Sequence, residues 1–102
     1  MNQPELFDIV ELLVNLPEYN LEIGVQGTIV ECYDDNTYEL EFANSKGETL
    51  VLCTLSPKQF IIVWQAKTQS WLSLSEKITA IVKTLDVQHQ KEVFQFVLSL
   101  QK

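Results

Sequence analysis

The chain has 102 residues, of which 46% are hydrophobic, and its formal net charge is −7, with seven lysines and no arginine. A chain of this length holds one domain, or a small domain with an appendage. A strongly acidic chain repels phosphate backbones, so the composition argues against a nucleic-acid-binding protein.

The charge is divided unevenly along the sequence. Residues 1–64 carry eleven carboxylates and two lysines, which gives them a net charge of −9. Residues 65–102 carry five lysines and three carboxylates, which gives them a net charge of +2. The sequence therefore predicts an acidic body followed by a weakly basic tail.

The N-terminal region and the cysteines indicate the cellular location that we expect for the protein. The first cation is Lys46, so the basic segment of a signal peptide is missing, and no window reaches the ~20 apolar residues of a membrane span. Cys32 and Cys53 are too few for a disulfide framework or a zinc site. We therefore expect a cytoplasmic protein with two reduced thiols in its core, no metal and no cofactor.

Five short segments of the body have the pattern of β-strands. Residues 38–42 alternate strictly, so that Tyr38 and Leu40 face a core while Glu39 and Glu41 face water. The other predicted strands are residues 7–13, 24–33, 49–55 and 60–64. Five short strands with turn residues between them are typical of an SH3-like barrel.

Two of the predicted strands are too apolar to have one face in water. In residues 49–55, Leu50 and Leu52 lie on one face while Val51, Cys53 and Leu55 lie on the other. Residues 60–64 are apolar without alternation. Strands of this kind are covered on both faces, so we expect the tail to supply the second cover, over Val51, Cys53 and Leu55.

The tail, residues 73–102, has the pattern of two amphipathic helices. Ser73 and Glu76 form a capping box at the start of the first helix, and Asp86 is placed to cap the second. The apolar stripes are Ile78, Ile81, Val82 and Leu85 in the first helix, and Val93, Phe96, Val97 and Leu100, widened by Phe94 and Leu98, in the second. We expect this hairpin to pack on the barrel or on a second protomer, with residues 65–72 as the hinge.

The candidate functional residues are aromatic, acidic or apolar rather than catalytic. Aromatic side chains beside glutamates are suited to polyproline or cationic peptides. The candidates for partner binding are Tyr19, Tyr33, Glu39, Glu41, Trp64, Trp71, Phe94 and Leu98. His89, three residues after Asp86, has no nucleophile obviously beside it, so we expect no enzyme.

The body also resembles a known family. The phrases that carry the resemblance are Asp8-Ile-Val, Leu16-Pro-Glu-Tyr19, Gly24-Val-Gln-Gly27-Thr-Ile29-Val-Glu, Tyr38-Glu-Leu-Glu-Phe42 and Leu55-Ser-Pro57. Residues 1–64 are similar to the bacterial family called domain of unknown function 4926. The resemblance implies a small SH3-like protein with no agreed activity, cofactor or catalytic residue.

The tail resembles a second family over about thirty residues. Leu74-Ser-Glu76-Lys-Ile78 through Leu85, Gln90-Lys-Glu-Val93 and Phe96-Val97 carry the likeness. They are similar to domain of unknown function 2281, some members of which look like antitoxin-associated proteins. This resemblance implies a helical hairpin that works beside a protein partner.

Three functions remain open from the sequence. The first is a non-catalytic protein-interaction module that binds a basic or helical partner and associates with itself. The second is an antitoxin-like or immunity-like protein whose acidic face masks a basic toxin. The third is a small regulatory nucleic-acid binder that uses the lysines of the tail.

Overall fold

A curved antiparallel sheet followed by two helices forms the chain. The computed structural model describes residues 3–44 and 46–101, and its elements confirm the α+β class. The strands are β1 (Ile9–Leu12), β2 (Gln26–Cys32), β3 (Tyr38–Ala43), β4 (Thr49–Leu55), β5 (Phe60–Gln65) and β6 (Ser70–Trp71). The helices are α1 (Leu74–Val82) and α2 (Val87–Ser99).

The sheet differs from the predicted five-stranded barrel in strand number and in closure. Its order is β4-β3-β2-β1-β5-β6, which is open, so the closed barrel is not confirmed. The sixth strand, β6, has only two residues, and it pairs through Trp71 with Trp64 of β5. Two residues are too few for a period of two to be recognised in a sequence.

The open sheet nevertheless curls around one core. The rings of Tyr38 on β3 and Phe60 on β5 meet edge to face with their centroids 5.9 Å apart, although two strands separate β3 from β5 in the sheet. Register shifts beside Ile29 in β2 and beside Ile9 in β1 mark irregularities of the kind that bend a strand. The sheet thus brings the side chains of its distant strands together.

The core comes almost entirely from the inward side chains of the sheet. The largest fully buried side chains are Val10, Leu12, Ile29, Leu40, Phe42 and Val63. Asp8 is the buried charged residue of the described chain, and its carboxylate accepts hydrogen bonds from the amides of Glu5 and Ala66, each at 2.9 Å. Two amide donors compensate for the lost hydration of this charge, and the bond to Ala66 ties the N-terminal segment to the end of β5.

Both helices begin at the residues that the sequence predicts. The hydroxyl of Ser73 accepts from the amide of Glu76, and the Glu76 carboxylate accepts in return from the Ser73 amide. The Asp86 carboxylate accepts from the amide of His89 at the start of α2. Neither described helix is long and apolar enough to cross a membrane.

The hairpin covers a different part of the sheet from the one expected. The helix that packs on the sheet is α1, and its partner is β5. Cys53 and Leu55 of β4 are buried among the sheet's own core residues, while Leu50 and Leu52 are exposed. The prediction that the tail covers Val51, Cys53 and Leu55 is therefore wrong, because the curl of the sheet already covers that face.

The protein exposes more surface than a compact chain of its mass. Its accessible surface is 7330 Å², whereas a folded monomer of this size is expected to expose about 5,900 Å². Its radius of gyration is 14.9 Å, compared with about 12.8 Å expected for a compact domain of this length. The chain is therefore less compact than a typical single domain of its length.

Candidate functional site

The side of α1 that faces the sheet is its small and polar side. Ala80 and Thr84 line a groove against Ile61 and Ile62 of β5, and the Lys77 ammonium lies 3.1 Å from the Glu11 carboxylate of β1. Lys77 and Ala80 are spaced by three residues, so they share one stripe of α1, and Thr84 follows in the turn after the helix. Of the predicted apolar stripe of α1, Ile78 and Ile81 are exposed, while Val82 and Leu85 are half-buried.

The groove between β5 and α1 has a volume of about 450 Å³. Its walls are mainly apolar, with Phe60, Ile61 and Leu72 on the sheet side. Lys83 lies at its edge and is exposed. The groove shows that α1 rests on the sheet loosely rather than sealing it.

The apolar side chains of the two helices remain largely in water. Ile78 is 49% exposed and Phe94 is 59% exposed. We call the exposed apolar side chains of α1 and α2 the hairpin surface. It consists of Leu74, Ile78, Ile81, Val87, Phe94, Phe96, Val97 and Leu98.

The two helices touch each other along a narrow line. The side-chain amide of Gln90 donates to the carbonyl oxygens of Val82 and Leu85 at 3.0 and 3.2 Å, and so caps the end of α1. Gln90 and Val93 are the half-buried positions of α2. The remaining apolar positions of α2, Phe96 among them, lie outside this contact and are exposed, so packing of this stripe on a second protomer stays a prediction.

Two of the residues predicted to bind a partner, Trp64 and Trp71, form an aromatic pair. Their ring centroids are 6.3 Å apart with the planes tilted by 57°. Trp64 is half-buried on β5, while Trp71 is exposed two residues before the first helix cap. The contact attaches Trp71 to β5, and the amide of Leu72 donates to the Val63 carbonyl at 2.8 Å.

The tyrosines and glutamates of the candidate set lie on the sheet, and they form pairs rather than one groove. The Tyr33 hydroxyl donates to the Glu39 carboxylate at 2.7 Å, and this bond raises the pKa of Tyr33. The Thr49 hydroxyl donates to the Glu41 carboxylate. Tyr19 is exposed in a short 3-10 turn, residues Pro17–Tyr19, with no recorded side-chain bond to Tyr33 among the described residues. The structure thus brings together Tyr33 with Glu39, and Trp64 with Trp71.

The cysteines differ from each other in their surroundings. Cys53 is buried, as expected, and burial raises its pKa. Cys32 is exposed at the end of β2, so the expectation of a core thiol was wrong at that position. Cys32 is the last residue of β2, where it pairs with Tyr38, and this position at the strand end leaves the thiol exposed.

His89, the single histidine of the chain, pairs with Asp86. The His89 ring nitrogen lies 2.8 Å from the Asp86 carboxylate, and both side chains are largely exposed at the start of α2. Hydrogen bonding to Asp86 raises the pKa of His89, while the His89 amide and ring lower the pKa of Asp86. Within residues 3–44 and 46–101, no three His, Cys, Asp or Glu side chains are grouped so as to hold a metal ion.

Comparison with known proteins gives a family but no activity. No curated protein and no solved structure matches the chain. The family model described as "Domain of unknown function (DUF4926)" matches residues 6–62. This region runs from the segment before β1 into β5, and so it includes most of the sheet but neither helix. Because the match covers more than half of the chain, the protein belongs to the DUF4926 family.

Proposed function

We propose that the protein is a non-catalytic protein-interaction module that binds its partner through the hairpin surface. The observation that carries the proposal is the exposure of large apolar side chains on both helices, including Leu74 at 72% and Phe94 at 59%. Monomeric soluble proteins rarely leave contiguous apolar patches of this kind in water unless they bind something there.

The attachment of the hairpin to the sheet supports this role. Lys77 and Glu11 hold the polar side of α1 against the sheet, so the apolar side of that helix stays available. An amphipathic helix presented in this way is suited to a helical partner, which places its own apolar stripe against the exposed one. The sheet then acts as the rigid support of the module.

The sheet itself fits an SH3-like scaffold in this proposal. After the meander from β1 to β4, β5 returns to pair with β1. The contact of Tyr38 with Phe60 brings the inner faces of β3 and β5 together around a shared core. This strand order and curvature support an SH3-like arrangement of β1 to β5. Strand β6 is then an additional strand that leads into α1.

The test is capture of a partner by the full-length protein on a resin, followed by identification of the bound protein. Leu98→Gln removes an exposed apolar group from the hairpin surface, and Leu50→Gln does the same on β4. We expect an identified protein to bind the wild type and the Leu50→Gln control but to lose at least about 10-fold in affinity for Leu98→Gln. Equal binding to all three proteins would contradict the proposal.

A second candidate function uses the acidic side of the sheet. Glu39 and Glu41 lie on the outward face of β3, opposite Thr54 and Leu52 of β4. A cluster of carboxylates beside apolar side chains is suited to masking a basic protein, as an antitoxin-like protein does. Such binding should weaken strongly between about 50 and 500 mM salt, because screening shortens the reach of exposed charges. Binding through the hairpin surface should not.

A further inference from the structure

We propose that the occupant of the hairpin surface is a second copy of the same chain, so that two hairpins pair about a twofold axis into a four-helix layer. The inference rests on the proposed function and identifies the partner that the hairpin surface binds. It follows from three properties of α1 and α2: the width of the apolar arc, the surface left uncovered, and the distribution of charge.

The apolar arc of α2 is wider than one neighbouring helix can cover. Val87, Phe94 and Leu98 are spaced by seven and four residues and share one stripe, while Phe96 and Leu100 share another. The line of contact with α1, through Gln90 and Val93, lies between these stripes. At 100° per residue the apolar positions span about 200° of the helix, and a helix with so wide an arc is normally buried on more than one side.

The surplus of exposed surface is larger than one partner's share of a standard interface. The accessible surface of 7330 Å² exceeds the expectation for a compact monomer by about 1,400 Å². A standard protein–protein interface takes about 800 Å² from each partner. A second copy offers the same apolar stripes, and an isologous contact about a twofold axis is the commonest way for identical chains to associate.

The charges favour a second copy over a charged partner. From Leu74 to Ser99 the hairpin carries three lysines and three carboxylates, so it attracts neither a basic nor an acidic surface. Residues 1–64 carry a net charge of −9, from eleven carboxylates and two lysines, and two such bodies repel each other. Pairing through the neutral hairpins allows the chains to associate while their acidic sheets stay apart.

The other exposed apolar feature is a poorer place for self-association. Strand β4 is at an edge of the sheet, and Leu50 and Leu52 are exposed on it. Glu39 and Glu41 lie beside them on β3. Pairing two copies along β4 would bring these carboxylates close to their counterparts, and like charges that face each other destabilise a sheet.

The experiment is analytical ultracentrifugation of the full chain over a range of concentrations. Phe94→Gln and Leu98→Gln keep the net charge and change the stripe, whereas Leu50→Gln is the matched control on β4. We expect a reversible wild-type dimer, a dissociation constant at least about 10-fold higher for each hairpin variant, and a control within about 2-fold of the wild type. The dimer should persist or tighten in 1 M NaCl, because salt screens the repulsion between the acidic bodies.

Two further measurements keep the variants interpretable. Helix content by circular dichroism should match the wild type once each variant is monomeric, and Phe94→Leu should weaken the dimer less than Phe94→Gln. A dimer that persists in Phe94→Gln and Leu98→Gln but is lost in Leu50→Gln would overturn the inference, since the contact would then lie on β4.

The remaining outcomes separate the inference from the function on which it rests. A wild type that is monomeric at every concentration but captures another protein through Leu98 overturns the second copy and leaves the interaction module in place. A monomer whose hairpin variants behave like the wild type in both dimerisation and capture overturns both.

Discussion

The Lys77 ammonium group lies 3.1 Å from the Glu11 carboxylate and joins α1 to β1 across 66 residues of chain. Both side chains are partly exposed. The pair lies on the side of α1 that faces the sheet, while Ile78 is 49% exposed. Contact through this side leaves part of the apolar stripe of α1 in solvent.

This ion pair should contribute modestly to stability. In a double-mutant cycle with Glu11→Gln and Lys77→Met, we expect a coupling energy of about 0.5–1 kcal/mol that shrinks in high salt, as is usual for partly exposed pairs. Urea unfolding of the four proteins measures it. A coupling energy of zero would mean that other contacts orient α1.

Two phenylalanines should respond very differently to truncation. Phe42 is 2% exposed in the core, and Phe96 is 64% exposed on α2. We expect Phe42→Ala to reduce the free energy of unfolding by about 3–5 kcal/mol, and Phe96→Ala to change that of the monomer by less than about 0.5 kcal/mol. The comparison is made by chemical unfolding at a concentration where the wild type is monomeric. A large loss for Phe96→Ala there would show that its ring is buried.

Gly27 has no room for a side chain. A Cβ at this position would lie 2.6 Å from a ring carbon of Phe42, so Gly27→Ala forces the ring to move and should cost about 1–3 kcal/mol. Phe42→Leu removes the ring, and the double variant should therefore be more stable than the sum of the two single changes predicts. Strict additivity of the two losses would show that the clash is relieved elsewhere.

The start of α2 should depend on pH through Asp86 and His89. The pKa of His89 is raised above its ordinary 6.5, so the stability contributed by its protonated form is present below pH 6.5 and is lost as the pH rises through the raised value. The pKa of Asp86 is lowered from 3.8, so its contribution is present above pH 3.8 and is lost as the pH falls through the lowered value. We therefore expect the first turn of α2 to be most stable between pH 3.8 and pH 6.5, where both contributions are fully present.

An NMR titration of His89 with and without Asp86→Asn tests this interaction. The wild-type ring should titrate above pH 6.5, and the variant ring should titrate closer to 6.5. Identical titrations in the two proteins would mean that the pair does not form in solution.

Much of the fold follows from local sequence patterns. The alternation of Tyr38, Leu40 and Phe42 identifies the buried face of β3, and the capping box of Ser73 marks where α1 begins. Such signals depend on residues that are close in the chain. They are therefore readable without knowledge of the tertiary structure.

The parts that the sequence did not predict depend on distant contacts. Asp8 looks like a surface carboxylate, but it is 3% exposed because the amide of Ala66 reaches it from 58 residues away. The orientation of α1 was likewise hidden, since an amphipathic pattern suggests that Ile78 faces the sheet. In the structure Lys77 and Ala80 face the sheet instead, and a pattern of apolar residues does not predict the ion pair between Lys77 and Glu11.

An amide NMR spectrum recorded over a dilution series tests residue by residue whether the hairpin surface is an interface. We predict that dilution moves the signals of α2 around Phe94 and Leu98, together with those of α1 around Ile78, while the signals of β4 stay fixed. Two results would contradict an interface at the hairpin surface. One is a set of shifts confined to β4, and the other is a spectrum that changes neither on dilution nor on addition of any captured partner.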